Sequence, residues 1–388
     1  MYRGVPYFLL FSVYAVVNTY LPIVLRTLGF STAEIGILLG IIEITGITVP
    51  FLITPKLDKT GHYGLVMLLF GLDVAVLLLP LIRFQSFFIT AAFFGVFAVG
   101  FKGLVPVLDG FTAKALGARD AQYGKIRAAG SIGFVCMNVF LQLNPIISGQ
   151  KPFSVILTIS GTAFIFVLSL LRVPDLFNTV LLKQDAEVQP YNSTAEEQPE
   201  QSFSGFPGRF WNCILLIFLA FLGLVPCQRF FSLYVEEYVK MDVAAGLWAL
   251  SAMVEVPVMI MSGKLISRFG KEKLLFICLA SIAVRNACYI LLPGVSGAVA
   301  GQLLHSISFG LFHPLSVLLC VSYSCGKTAT ALMFFTAANG LANVMGSMMG
   351  GYIIEYGGYP ALFLFFNVFP LLGMLLYFFT VRIRPAYK

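Results

Sequence analysis

Nothing constrains this chain more than a dozen apolar runs of roughly 20 residues each. A run of that length crosses a bilayer as a helix, because a helix satisfies its own backbone hydrogen bonds where water is absent. The runs fall near 5–26, 33–55, 62–82, 87–115, 122–147 and 152–173, and again near 210–235, 243–267, 272–292, 296–324, 328–354 and 359–381. The expected fold is therefore an all-α membrane protein with twelve transmembrane helices in two six-helix, pseudo-symmetric halves. Composition agrees: with 59% hydrophobic and 11% charged residues, the chain holds more apolar surface than a soluble core can hide.

Six helices, an interruption and six more define the domains: an N-terminal half over 1–173, a linker over 174–208 and a C-terminal half over 209–388. The linker carries six acids, one lysine and no apolar periodicity past Leu182, which predicts a flexible cytoplasmic tether. Of the 25 Lys and Arg, Arg26, Arg83, Lys151 and Lys240 fall on one side, four fall within apolar runs, and the other 17 lie on the opposite side. The positive-inside rule then places both termini and the tether in the cytoplasm, and the net charge of +7 needs no nucleic-acid partner. The first run, from Val5, has no small-residue cleavage site and reads as a retained helix. Seven cysteines without Cys-x-x-Cys spacing read as buried free thiols. No metal-ligand spacing and no cofactor motif is present, so no cofactor is expected.

Against that apolar background stand four acids, Glu43, Asp73, Asp109 and Glu255, and four bases, Lys102, Arg127, Arg229 and Arg285. A charge at membrane depth is costly unless it is paired or faces water, so a balanced set implies a polar pathway and points to transport. Residue counting from the turns gives their depths. Asp109 and Arg127 lie nine residues either side of a turn near Ala118, at one height on adjacent antiparallel helices. Arg229, Glu255, Arg285 and His305 fall within about one helical turn of a common level on the seventh to tenth helices. Glu43 and Asp73 are equidistant from a turn at Asp58, and like charges at one depth repel unless a base intervenes. Lys102 is a candidate base, sharing a face with Asp109 seven residues on, but the spacing does not say which acid it serves.

Structural readings compete with functional ones at each position. An Asp-Arg pair can simply lock two helices, Glu43 and Asp73 can serve gating or structure, and His305 and His313 can be satisfied core histidines. Gly346-x-x-x-Gly350 with Gly351, Asn339 and Asn343, and Gly130 with Gly133, form small-residue patterns that predict close helix packing. Phe309 and Phe312 lie near the charged layer and could stack on a ring-bearing solute.

Two cytoplasmic turns repeat a pattern. PKLDKTGHYG (Pro55 to Gly64) follows the second helix and GKLISRFGKEK (Gly263 to Lys273) the eighth, each with a base two positions before a glycine. They resemble the major facilitator superfamily signature G-x-x-x-D-R/K-x-G-R/K-R/K. Asp58, Lys59 and Gly61 match in the first copy; Thr54 replaces its first glycine and His62-Tyr63 its last bases. Gly263, Arg268, Gly270 and Lys271 match in the second, where Ser267 replaces the acid. These residues are expected to act in gating rather than in solute binding, Asp58 by pairing with bases or by lying at a helix end.

LVPVLDGFTAKALGARDAQYGKIRAAGSIGF (Leu104 to Phe134), MVEVPV (Met253 to Val258), AVRN (Ala283 to Asn286) and QLLHSISFGLFH (Gln302 to His313) sharpen the likeness. They resemble the phenylpropionate permease group, related to oligosaccharide:proton symporters of the lactose permease type, over nearly the whole chain. That resemblance implies solute binding by Asp109 and Arg127, an acid and an arginine eighteen residues apart. It also puts Arg285 and His305 in the site. The glutamate that carries the coupled proton in the sugar symporters, three residues after the histidine, is here Ser308, so Glu255 is the expected substitute. Glu255 could hold a proton when dehydrated and alone and release it when paired with Arg285 or His305. Lys102 and Glu43 depart from that group.

The expected function is a monomeric secondary transporter in a bacterial inner membrane. It would couple protons to a small polar organic solute by alternating access of the two halves. Lys102, Arg127, Arg229 and Arg285 favour an organic anion, while the Asp109-Arg127 pair favours hydroxyl recognition as in a sugar or nucleoside. A receptor or sensor that binds without transporting is the alternative; neither an enzyme motif nor a repeated filter loop is present.

Overall fold

A computed structural model describes residues 4–116, 123–173, 176–178 and 205–379, except the side chains of Pro50, Phe51, Thr54, Asp58 and Ala329. The expected linker therefore lies mostly outside the described residues.

The described chain is helical. α1 spans Gly4–Thr27, α2 Thr32–Thr60, α3 Tyr63–Val76 with a 3₁₀ turn at Leu79–Ile82, α4 Phe87–Leu116, α5 Tyr123–Leu143 and α6 Pro152–Leu170. α7 runs Gly208–Val239, α8 Ala244–Phe269, α9 Lys271–Leu291, α10 Gly294–Ser322 and α11 Thr328–Tyr377. Eleven of these segments are long and apolar enough to cross a membrane. The count falls one short of twelve because the 50 residues of α11, too long for one crossing of a hydrocarbon core of about 30 Å, hold two helices joined at a break. Gly358 breaks it, with φ 73° and ψ −176°, into arms over 328–357 and 359–377. Each arm is by itself of spanning length.

Packing divides the chain into two compact units. One comprises Met1–Phe30 and Ile41–Pro199, the other Ser31–Gly40 and Glu200–Lys388. In the first, α1 packs on α5 and α6, and α3 on α4 and α6. Gly133 makes the α1–α5 approach possible, since a Cβ there would strike the Phe8 backbone. In the second unit α7 packs on α11, α9 on α10 and α11, and α8 on α10. The first arm of α11 meets α7 through Gly346 against Val225 and Gly350 against Phe230, as the small-residue pattern predicts. Its second arm meets α9 through Gly373 against Leu279. The first helix of each unit thus lies on the fifth.

The second unit's core centres on Phe221, Leu224, Leu279, Ile282, Phe312 and Leu315. Phe312 is therefore a core residue. Residues 31–40, the first turns of α2, belong to this unit. There the Glu355 carboxylate accepts from Thr32 N at 2.9 Å, Thr32 Oγ1 at 2.6 Å and Ala33 N at 3.4 Å, and Gly36 lies against the Gly351 backbone. All seven cysteines are free, but Cys136 and Cys325 are exposed. Buried thiols throughout is thus corrected: Cys325 sits in a turn with φ 49°, and Cys136 lies on an uncovered face of α5.

Candidate functional site

In the first unit the structure brings Asp109 of α4 and Arg127 of α5 together, with Arg127 Nε 3.6 Å from Asp109 Oδ1. That is an ion pair without a hydrogen bond. The hydrogen bond to this oxygen comes from α1, where the Tyr7 hydroxyl donates at 2.6 Å while also lying 3.2 Å from Thr112 Oγ1. Tyr123 adds a second phenol beside Asp109. Arg127 lies over Phe11, 4.2 Å from its ring centre, and 5.5 Å from the Tyr7 ring centre. About a third of each partner's side chain is exposed, 31% for Asp109 and 32% for Arg127, so this acid-base pair is held in place yet open on one side. It can accept from a hydroxyl through the acid, donate to an anion through the guanidinium, or let a ring join the Phe11 stack.

Lys102 serves Glu43. Its Nζ stands 2.6 Å from Glu43 Oε1, and the two side chains are only 19% and 8% exposed. Asp73 instead accepts the Gly100 backbone N–H at 3.0 Å. The two acids at one depth are thus separated by different partners on α4.

In the second unit a relay runs from α8 through α10 to α9. Glu255 Oε2 lies 3.2 Å from His305 Nε2, and His305 Nδ1 lies 3.0 Å from Arg285 Nη1. Arg285 is fully buried; it also donates to Ser308 Oγ at 3.2 Å, Gln302 Oε1 at 2.8 Å and the Tyr289 hydroxyl at 3.0 Å. A guanidinium can only donate, so His305 Nδ1 accepts and the ring proton sits on Nε2, directed at Glu255. In this arrangement His305 is neutral and has no site for a second proton. Phe309 stacks on His305 at 5.2 Å between centroids, and His313 packs between Phe309 and Phe335.

Arg229 binds α11. Its Nε and Nη2 donate to Asn343 Oδ1 on α11 at 3.2 and 3.1 Å, and Asn343 Nδ2 donates to Asn339. Arg229 lies in a π-turn over Pro226–Phe230, and a second π-turn follows over Tyr234–Val239; each adds a residue to its turn and rotates the rest of the helix by about 100°, which counting at 3.6 residues per turn misses. A third π-turn, over Ser306–Leu311, follows His305 and presents Ser308 to Arg285. Asn343, expected to serve packing, is also part of this polar chain.

At the repeated turns, Gly61 and Gly270 both hold positive φ, 71° and 82°, which only glycine adopts without strain. Lys59 and Arg268 are exposed, and Arg268 lies over Phe269. Gly263 has open space where a Cβ would be, so packing does not require glycine there. The Asp58 side chain lies outside the described residues.

Sequence reasoning missed Tyr7, Gln302 and Tyr289 and gave Ser308 no role. Helical spacing could have found three of them, since Gln302 and Ser308 lie three residues either side of His305 and Tyr289 four after Arg285. Tyr7, 102 residues from Asp109, left no local signal.

A helical membrane protein whose two units repeat one packing scheme, with charges held inside each, defines a transporter of the major facilitator type. The chain belongs to the MFS_1 like family, whose model matches residues 3–365. It is 22% identical over 369 residues to the probable 3-phenylpropionic acid transporter of Escherichia coli strain K12, covering 91% of this chain and 90% of that one. Over 295 residues it is 24% identical to an uncharacterized transporter, YwbF, of Bacillus subtilis strain 168, covering 75% and 69% of the two chains. Among solved structures it is similar to the nucleoside transporter NupG, with a TM-score of 0.80 at 16% identity over 97% of both chains. The inward open xylose transporter XylE from E. coli gives 0.69 at 15% identity over 98% of this chain and 95% of that one.

Proposed function

We propose that this chain is a proton-coupled symporter of a small polar organic solute, working by alternating access in a bacterial inner membrane with both termini in the cytoplasm. The observation that carries the coupling is the relay Glu255–His305–Arg285. Arg285 holds the histidine neutral, so the acid at the end of the relay is where a transported proton can reside. Arg285, Gln302 and Ser308 position His305, and their burial keeps them from direct solute contact in this conformation.

Asp109 and Arg127, with Tyr7 and the Phe11 ring, form the solute pair. Lys59, Gly61, Arg268 and Gly270 shape the turns between α2 and α3 and between α8 and α9, where a gating role fits their exposure and positive φ. The relatives named for 3-phenylpropionic acid, nucleosides and xylose supply the first probes. Counterflow in proteoliposomes with 3-phenylpropionate, uridine and xylose is the test. At least one probe should exchange, and Asp109→Asn or Arg127→Ala should abolish that exchange while the protein still inserts. Unchanged exchange in both variants rules out the solute pair, and binding of a probe without exchange identifies a receptor instead.

A further inference from the structure

Glu43 and Lys102 are an acid and a base that the proposed function leaves unused and that the structure pairs with each other. Lys102 is the sixteenth of the 30 residues of α4 and Glu43 the twelfth of the 29 of α2, so both stand deep within spanning helices. Their contact, 2.6 Å at 8% and 19% exposure, has a seat built for it. One turn beyond Glu43, Gly46 leaves a gap that the lysine stem fills; a Cβ there would stand 3.2 Å from Lys102 Cδ. From α1, Tyr14 lies in electrostatic reach of Glu43, Asp109 and Arg127. Its hydroxyl donates to Phe101 O at 2.6 Å, and its ring stacks on Phe101 at 4.2 Å and on Phe11 at 5.5 Å. Arg127 lies over Phe11, 4.2 Å from its ring centre. A ladder of rings therefore leads from the solute pair to the residue before Lys102.

A neutral solute gains nothing from parting a desolvated ion pair, because it brings no charge to either partner. A carboxylate can take the place of Glu43 at Lys102, provided the displaced glutamate loses its charge. We propose that Glu43 and Lys102 form a proton-for-anion exchange site: the carboxylate of an organic acid binds the Lys102 ammonium while one proton from water binds the Glu43 carboxylate. One ion pair breaks and one forms, Glu43 becomes a neutral acid, and the charge of the site plus its ligands is zero before and after. The inference rests on the transporter reading and chooses an organic anion as its solute. It does not depend on Glu255.

The test uses the full-length chain in detergent, with 3-phenylpropionate as the anion and 3-phenylpropanamide as its uncharged counterpart. Binding is measured from about pH 6 to about pH 8, where one proton taken up per anion contributes about tenfold in affinity per pH unit. Wild type should bind the anion more tightly as pH falls. Lys102→Gln should weaken anion binding by about tenfold or more and leave amide binding unchanged. Glu43→Gln should keep anion binding but lose about tenfold per unit from its pH dependence. The double variant Glu43→Gln with Lys102→Gln, which buries no charge, should melt near the wild-type temperature and bind only the amide. A wild-type pH dependence in Glu43→Gln, or wild-type anion affinity in Lys102→Gln, overturns the proposal. Counterflow of uridine by a wild type that ignores the anion overturns it while sparing the transporter reading. Failure of every probe to exchange removes both.

Discussion

Arg285→Lys keeps a buried positive charge and changes only its geometry, which makes it a sharp probe of the relay. Arg285 supplies four hydrogen bonds from three nitrogens: Nε to Tyr289, Nη1 to both His305 Nδ1 and Ser308, and Nη2 to Gln302, at 2.8 to 3.2 Å. An ammonium offers three N–H groups from one point, whereas these acceptors are arranged around a plane. One or two of the four bonds must be lost. At about 1.5–3 kcal/mol for a hydrogen bond to a charged group, the loss is about 1.5–6 kcal/mol of stability. Thermal unfolding of the purified protein should fall accordingly. Nitrogen NMR of labelled histidine gives the more specific readout: wild-type His305 should show the Nε2–H tautomer, and the variant should let the ring take a second proton as pH is lowered. An unaltered melting temperature, or an Nδ1–H tautomer in the wild type, would refute the reasoning.

Tyr7→Phe removes the 2.6 Å bond to Asp109 and should weaken solute binding by about 10- to 100-fold, the equivalent of about 1.5–3 kcal/mol, in an equilibrium binding assay. Insertion should be unaffected, and an unchanged affinity would show that Tyr7 does not orient the acid. Gly133→Ala places a methyl group against the Phe8 backbone and should cost about 1–3 kcal/mol by prising α1 from α5. A wild-type melting temperature in that variant would contradict the packing described.

The fold was legible because lipid leaves a chain few options. Apolar runs of spanning length and a charge-poor composition name helices, and the runs and the helices agree closely at most ends. One boundary was blurred, at Gly358, where the helix breaks at a single residue rather than in a polar loop. Heights counted from turns brought Asp109 to Arg127, and Glu255 to His305 and Arg285, because those pairs lie on helices close in sequence. The same counting did not say that Lys102 serves Glu43 rather than another acid. Depth alone cannot say which helices are neighbours. Tyr7 shows the limit most plainly: its partner is set by packing of α1 on the rest of its unit, and no local pattern around Tyr7 announces it.

Glu255 as the proton carrier is the claim on which the account turns, and uptake driven by an imposed pH gradient tests it directly. In proteoliposomes with an alkaline interior, wild type should accumulate an exchangeable uncharged probe, which does not engage the Glu43–Lys102 pair, above its outside concentration. Glu255→Gln should still exchange the probe across the membrane but bring it only to equal concentrations. Uphill accumulation by Glu255→Gln at the wild-type level would contradict the account.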